Sequence, residues 1–361
     1  MENKKDNGFM PVTAIPPGET IRENMDYLGM TQEEVAIRLD ITPKHLCNIL
    51  NGNAPITYET ALKLESVIGP SAEFWMELET KYQLDKTRLE DQEELKKDLE
   101  ILKEIPYKTM SDFGWLEKTS DRKQRVKNLR DFFRVARLSL IQESYAAVFR
   151  KHKQIGEISN YSVLAWLRKA ELEGRSIEVQ KVSRRKLKSL IPRFRGLTRE
   201  EPSVFFPEMQ NLCAQCGVAL VLVECLPQTY ICGATMWRKD KAILALSVRG
   251  KRSDIFWFTF FHELAHLINQ KKKKFHISYE NHEDEADQIA RNYLIPDKLY
   301  KKFIEEYPYQ DKKTIIDYAH KIGIAPCILV GRLMHDKLVN YQYYSDLRPS
   351  FEIVNKKAVT G

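Results

Sequence analysis

The stretch Phe256-Trp257-Phe258-Thr259-Phe260-Phe261-His262-Glu263-Leu264-Ala265-His266-Leu267-Ile268 decides how the C-terminal part of this chain is read. On a helix, residues four apart share a face, so His262 and His266 present two imidazoles to one point with Glu263 beside them. Two neutral imidazoles one turn apart suit two corners of a tetrahedral Zn²⁺, leaving room for a third protein ligand and a water. Bound zinc lowers the pKa of that water toward ~7, and a carboxylate next to the first histidine can then take its proton. The aromatic run ahead of the histidines predicts a buried helix and a dry site. Buried polar ligands need a partner, which a metal ion supplies.

The third ligand must come from elsewhere, and the best window is Asn281 to Pro296. Read as a helix ending before Pro296, it carries Ala286, Ala290 and Leu294 as one apolar stripe at four-residue spacing. Glu283 and Asp287 lie on that stripe, whereas Glu285, about 200° round the helix from Glu283, faces water. A carboxylate that faces the interior needs a partner. Glu283 is therefore the expected third ligand, and Asp287 the acceptor that orients His262 or His266. Asp284 and Glu285 fit a solvated helix start favoured by the helix dipole. His276 and His282 are rival ligands, ranked lower because neither sits on a clear apolar face.

A strand pair, then the aromatic helix with His262-Glu263-Leu264-Ala265-His266, then Glu283 to Pro296, resembles the ImmA/IrrE family of zinc metallopeptidase-like domains over roughly the last 160 residues. The resemblance implies a gluzincin-like site with His262 and His266 as ligands, Glu263 as general base and Glu283 as third ligand. It also implies an endopeptidase that cuts a partner repressor protein rather than general protein. The short gap between His266 and Glu283 holds Lys271 to Lys274, an unusual charge for the approach loop.

Far upstream, Glu19 to Ile68 reads as four short helices: Thr20 to Leu28, Thr31 to Leu39, Pro43 to Leu50 and Tyr58 to Ile68. Thr31 followed by Glu34 makes a capping box, and Thr42 caps a helix that begins with Pro43. The tight link Asp40-Ile41-Thr42 makes the second and third helices a helix-turn-helix, packed through Val35, Ala36, Leu39, Ile41, Leu46, Ile49 and Leu50. Such a unit reads the major groove with the early exposed residues of its second helix, here Lys44, His45 and Asn48. Gln32 and Thr42 are placed for phosphate or base contact. Lysine suits guanine and asparagine suits adenine.

Residues 12 to 84, including Ile41 to Gly52 and the later Phe74-Trp75-Met76 segment, resemble HigA-type antitoxins of the XRE-like helix-turn-helix class. That resemblance implies binding to double-stranded operator DNA as a homodimer, and autoregulation beside a toxin gene. Residues 1 to 70 nevertheless hold six Lys plus Arg against ten Asp plus Glu. Phosphate binding wants the opposite sign, so affinity should be modest and salt-sensitive, and a protein-docking helical module is the alternative.

Between these ends, Lys81 to Ile105 turns to Glu, Lys and Leu and reads as a charged connecting helix, broken near Asp91. Residues 121 to 200 hold 21 Lys plus Arg against eight Asp plus Glu. Leu129, Phe132, Phe133 and Leu140 give a helical apolar face there, and Tyr161 to Ala170 and Val179 to Leu190 read as further helices. This basic region could touch phosphates, dock an acidic partner, or be a solvated face. From Ser203 the pattern becomes a helix from Glu208 to Cys216, a strand from Val218 to Val223, and a hairpin of Ile231–Met236 with Ala242–Ser247. Helices Lys298 to Glu306, Lys313 to Lys321 and Ile324 to Leu338 follow. His320, His335, Tyr279 and Tyr293 are candidate oxyanion donors with no stronger signal.

At 361 residues and 43% hydrophobic content the chain can build two or three cores. No run of eighteen apolar residues appears and Met1 to Gly8 lacks an apolar signal core, so a cytoplasmic protein without a membrane partner is expected. Six cysteines suit a reducing compartment rather than a disulfide scaffold. Cys213 and Cys216 form a Cys-x-x-Cys at a helix end, read as small buried hydrophobes ahead of a structural zinc or redox pair. The expected architecture is mainly α. A helix-turn-helix bundle (1–80) and a connecting helix (81–120) precede a basic helical middle domain (121–202) and a C-terminal α+β zincin-like domain with a small sheet (203–361). The expected function is a DNA-binding regulator or antitoxin whose zinc peptidase domain cleaves a toxin or repressor partner. The alternative is a HigA-like autorepressor whose C-terminal domain binds the toxin without catalysis.

Overall fold

Capping and burial set the first elements where the sequence puts them. In the computed structural model, which describes residues 13–145, 160–239, 241–247, 252–269, 275–279, 284–354 and 357–360, the chain forms two compact units, Met1–Leu99 and Glu100–Gly361. The first contains α1 (Gly18–Leu28), α2 (Gln32–Arg38), α3 (Pro43–Leu50), α4 (Tyr58–Ile68) and most of α5 (Ala72–Ile101). Thr31 Oγ1 accepts the amide of Glu34 at 3.3 Å and Thr42 Oγ1 that of His45 at 3.1 Å, so α2 and α3 start on the expected caps. Val35, Ala36, Leu39, Leu46 and Ile49 are buried in one core with Ile21, Leu64 and Trp75. Each large aliphatic side chain there contributes about 1.5–3 kcal/mol.

Where a break was expected near Asp91, α5 is one continuous helix of 30 residues. Its surface is tied by pairs three residues apart, Arg88 with Asp85, Lys96 with Glu93 and Lys97 with Glu94. Such pairs supply a few tenths of a kcal/mol each, and no Pro or Gly interrupts the run.

The second unit begins with α6 (Tyr107–Asp112), α7 (Arg122–Phe133) and α8 (Leu140–Ser144), then α9 (Asn160–Ser176), α10 (Arg184–Ser189), α11 (Ile191–Gly196) and α12 (Pro202–Ala214). A four-stranded sheet follows from β1 (Val218–Leu222), β2 (Ile231–Arg238), β3 (Lys241–Leu246) and β4 (Phe275–Tyr279), in the order β1-β3-β2-β4. β1 runs parallel to β3, and the other pairs are antiparallel. The helix α13 (Ser253–Asn269) lies between β3 and β4 in sequence, and α14 (Asp284–Leu294), α15 (Asp297–Glu306), α16 (Lys312–Lys321) and α17 (Pro326–His335) complete the helical layer. A two-stranded hairpin, β5 (Phe351–Val354) with β6 (Lys357–Thr360), comes last.

The sheet is covered on both faces, which explains why β1 is buried along its whole length rather than alternating. Ala242, Leu244 and Leu246 share a core with Phe256, Trp257, Phe260 and Phe261 of α13. Ile243 points the other way, toward Gly174 of α9, where a Cβ would lie 2.6 Å from the Ile243 side chain. Thus α9, from the basic middle stretch, is a layer on the sheet, and Trp166 Nε1 donates to Val223 O at 3.4 Å. The helix expected over 179–190 begins only at Arg184. Before it, Gln180 and Ser183 donate their amides to the carbonyls of Ala214 and Cys216. Gly217, at φ 82, lets that segment come within reach, because a Cβ there would meet Val182 backbone atoms at 2.4 Å.

Among the described residues, no single helix is long and apolar enough to cross a membrane.

Candidate metal centre and DNA-reading helix

Helix α13 is apolar on nearly every side, and its aromatics interlock: Phe205 packs at a tilt against Trp257 with centroids 4.8 Å apart, and Phe260 meets Phe194 edge to face at 5.1 Å. That packing fixes the helix and leaves its polar residues facing inward. His262, Glu263 and His266 are 6%, 0% and 4% exposed. The Nε2 atoms of His262 and His266 stand 2.8 Å apart, as the four-residue spacing requires. Asp287 of α14 is buried too, and its Oδ1 lies 2.8 Å from His262 Nδ1. An ionised carboxylate only accepts, so this contact puts the proton on Nδ1 and leaves Nε2 with a lone pair directed at His266.

Glu263 turns toward β2. A Cβ on Gly233 would lie 2.8 Å from Glu263 Oε1, so a side chain is missing where the carboxylate needs room. Glu285 is exposed, as its position on the helix predicts. Glu283, the expected third ligand, lies outside the described residues, as do His282 and the run Lys271 to Lys274. Of the other candidates, His335 bonds Asp336 and Arg291 through its two ring nitrogens. The Tyr293 hydroxyl meets Asn269 Nδ2 at 3.4 Å, and His320 is exposed.

One residue ranked low by the sequence stands in the site. His276, on β4 opposite Thr235 of β2, joins His262 and His266 in a cluster whose ligand nitrogens all lie within 4.8 Å of one another. Its ring centroid is 3.6 Å from that of His266. The signal was present: Phe275-His276-Ile277-Ser278-Tyr279 alternates apolar and polar residues, a strand pattern that sends His276 and Ser278 to one face. Cys213 and Cys216 are both buried and free, and burial pushes both thiols up from the ordinary value, which suits core residues rather than thiolate ligands.

In the first unit, Gln32, Thr42, Lys44 and His45 are exposed and Asn48 is half-buried along α3. The Thr42 hydroxyl is engaged as the cap, and Asn48 accepts the amides of Asn53 and Ala54 through its main-chain oxygen, which fixes the turn after α3.

Over 68 residues this chain is 37% identical to the HTH-type transcriptional regulator YddM of Escherichia coli (strain K12), covering 19% of this chain and 72% of that protein. The chain belongs to the HTH-type transcriptional regulators. It is also 32% identical over 78 residues to virulence-associated protein I of Dichelobacter nodosus, covering 21% of this chain and 72% of that protein. A solved HigA-family addiction module antidote protein from Coxiella burnetii shares 31% identity, with 24% of this chain and 95% of that chain covered and a TM-score of 0.22. Residues 220–333 of this regulator match the IrrE N-terminal-like domain of the Peptidase_M78 family. The matched span runs from β1 to α17 and therefore contains the His262, Glu263 and His266 helix, β4 and Asp287.

Proposed function

We propose that this regulator binds operator DNA through α3 as a homodimer and carries a zinc-dependent endopeptidase that cleaves a partner protein, a toxin or repressor of a toxin–antitoxin-like system in the cytoplasm. The observation that carries the peptidase reading is the buried assembly of His262, His266 and Glu263 on one helix with Asp287 bonded to His262. The donor set fits zinc: imidazole nitrogens converge within 4.8 Å, and a carboxylate backs one of them. Glu283 completes the ligand set in this reading, with His276 as its competitor. Zinc content of Glu283→Ala against His276→Ala distinguishes them.

Zinc at this site would polarise the scissile carbonyl and acidify the attacking water. Glu263 accepts the proton of that water and returns it to the leaving nitrogen. Asp287 holds the His262 ring in the tautomer with Nε2 bare. The aromatic packing around α13 keeps bulk water out, which strengthens each of these charges. β4 is one of the two edge strands of the sheet among the described residues, and an extended peptide could pair along it beside His276.

The test is co-expression with the product of the neighbouring gene, followed by metal analysis and mass mapping of both chains. Glu263→Gln should keep about one zinc per chain and lose cleavage. Cleavage that persists in that variant overturns the role given to Glu263, and neutralisation of the partner without any cleavage favours sequestration instead. For the DNA-binding half, Lys44→Ala and Asn48→Ala should each weaken binding to the upstream region of the gene by about 1–3 kcal/mol. Unchanged affinity in both refutes α3 as the reading helix.

A further inference from the structure

One turn before His262, at Phe258, α13 borders a cavity of about 230 Å³, bounded also by α14, α17 and the segment that carries Tyr341 and Arg348. Its walls are apolar where Phe258, Ile255, Leu294 and Ile328 stand, and cationic where Arg291 and Arg332 stand.

The charges around it are not all balanced. Arg348 donates to Asp254 Oδ2 at 2.7 and 2.9 Å, and Asp254, also in the lining, keeps its Oδ1 without a hydrogen-bond partner among the described residues. Asp336 accepts from the Tyr300 hydroxyl at 2.7 Å, from Arg332 Nε at 2.9 Å and from His335 Nδ1 at 2.9 Å. His335 Nε2 is thereby left to accept from Arg291 Nη1 at 3.3 Å. Among the described residues Arg291 meets the His335 ring and no carboxylate, and Arg332 Nη1 is buried without an acceptor. Asp336 balances the charge of Arg332, but a buried N–H without an acceptor is costly, and an anion in the hollow would supply one to Arg332 Nη1 and a charge partner to Arg291.

We propose that this cavity binds a small amphipathic organic anion, an aliphatic or aromatic carboxylate. Its head sits on Arg291 and Arg332 and its apolar body lies between Phe258, Leu294 and Ile328. The volume, equal to about eight waters at ~30 Å³ each, suits a molecule smaller than a typical drug-sized ligand. Occupancy reaches the histidines by two short routes. The Phe258 ring stands 6.3 Å from the His262 ring, and Arg291 is one helical turn from Asp287, which holds His262. The regulatory consequence rests on the zinc peptidase reading, whereas the binding itself does not.

Isothermal titration of the full chain with benzoate and hexanoate, each on zinc-loaded and EDTA-treated protein, tests it. Benzyl alcohol and hexylamine serve as controls of matching body. Both carboxylates should bind saturably in both metal states, the alcohol and amine should not, and Glu263→Gln should bind as the parent does. Arg291→Gln should weaken binding at least about tenfold, the scale of a lost charge-assisted hydrogen bond. Ile255→Trp, at a position 41% exposed, should narrow the cavity and weaken binding without disturbing the core. Absence of saturable carboxylate binding, or equal affinity in both variants, overturns the site. Binding confined to the zinc-loaded protein overturns it too, since the carboxylate would then sit on the metal. If no zinc binds at all, the peptidase reading fails while carboxylate binding to metal-free protein still stands.

Discussion

Removing the Asp287 carboxylate tests the metal centre without touching a proposed ligand. Asp287 Oδ1 lies 2.8 Å from His262 Nδ1, and both side chains are buried, at 7% and 8% exposure. A hydrogen bond with one charged partner contributes about 1.5–3 kcal/mol, so Asp287→Ala should weaken zinc binding by about 10–150-fold. Loss of a carboxylate behind a metal-bound histidine generally costs about 10–100-fold, which agrees. Asp287→Asn keeps an acceptor oxygen but not its charge. A neutral bond contributes about 0.5–1.5 kcal/mol, so its effect should be roughly half as large in free energy. The assay is competition for zinc with a chromophoric chelator at pH 7, with urea midpoints of the metal-free proteins measured in parallel. Affinity within about twofold of the parent in Asp287→Ala, with an unchanged urea midpoint, refutes the claim that Asp287 sets the His262 tautomer for metal.

Two further perturbations follow from contacts on the page. Gly233→Ala puts a methyl 2.8 Å from Glu263 Oε1 and 3.0 Å from Thr259 Cγ2, so it should cost about 1–3 kcal/mol in urea unfolding and shift Glu263. Partner cleavage should fall while bound zinc stays near the parent level, and a variant with parental cleavage would show that Glu263 does not work from this position. Glu171 is buried, which alone would raise its pKa. Arg238, Arg168 and Arg175, each at 2.8 Å, outweigh burial and hold it below the ordinary value of 4.5. A carboxylate held low stabilises the fold above its unfolded pKa and loses that contribution as pH falls through the folded value. Stability of the parent should therefore drop below about pH 4.5. Glu171→Ala should flatten that limb and cost about 3–5 kcal/mol at pH 7 by leaving Arg168 buried without its carboxylate. An acid limb identical in both proteins would count against this pairing.

The two ends of the chain were legible for a common reason: their information is local. Thr31, Thr42 and Pro43 specify helix starts through contacts three residues away, and the spacing of His262 and His266 specifies a shared face within one turn. What escaped depended on contacts distant in sequence. The segment before Arg184 has helical composition, yet its amides bond to Ala214 and Cys216 some thirty residues on, and only Gly217 permits the approach. The continuity of α5 through Asp91 was hidden because its apolar residues lack a stripe, so charge pairs rather than burial run along it. His276 was discounted by applying a helical criterion to a strand. Its period of two was visible in the sequence, but its pairing with Thr235, which brings it to His266, was not.

The acidic balance of the first unit is unevenly placed. Glu19 begins α1, Glu33 and Glu34 begin α2, Glu59 begins α4 and Glu73 begins α5, each in the first turn where the helix dipole favours a negative charge. Several are also paired, Glu19 with Arg22, Glu34 with Arg38 and Glu59 with Lys63. The first turn of α3 alone among these five helices carries no acidic residue, and it presents Pro43, Lys44 and His45 instead. The positive end of α3 therefore has a lysine rather than a carboxylate beside it, an arrangement that suits a phosphate. Net charge averages over a unit, but a DNA helix meets one face of it. Glu19, Glu33, Glu34 and Glu59 serve helix starts, and the first turn of α3 is left without a carboxylate of its own.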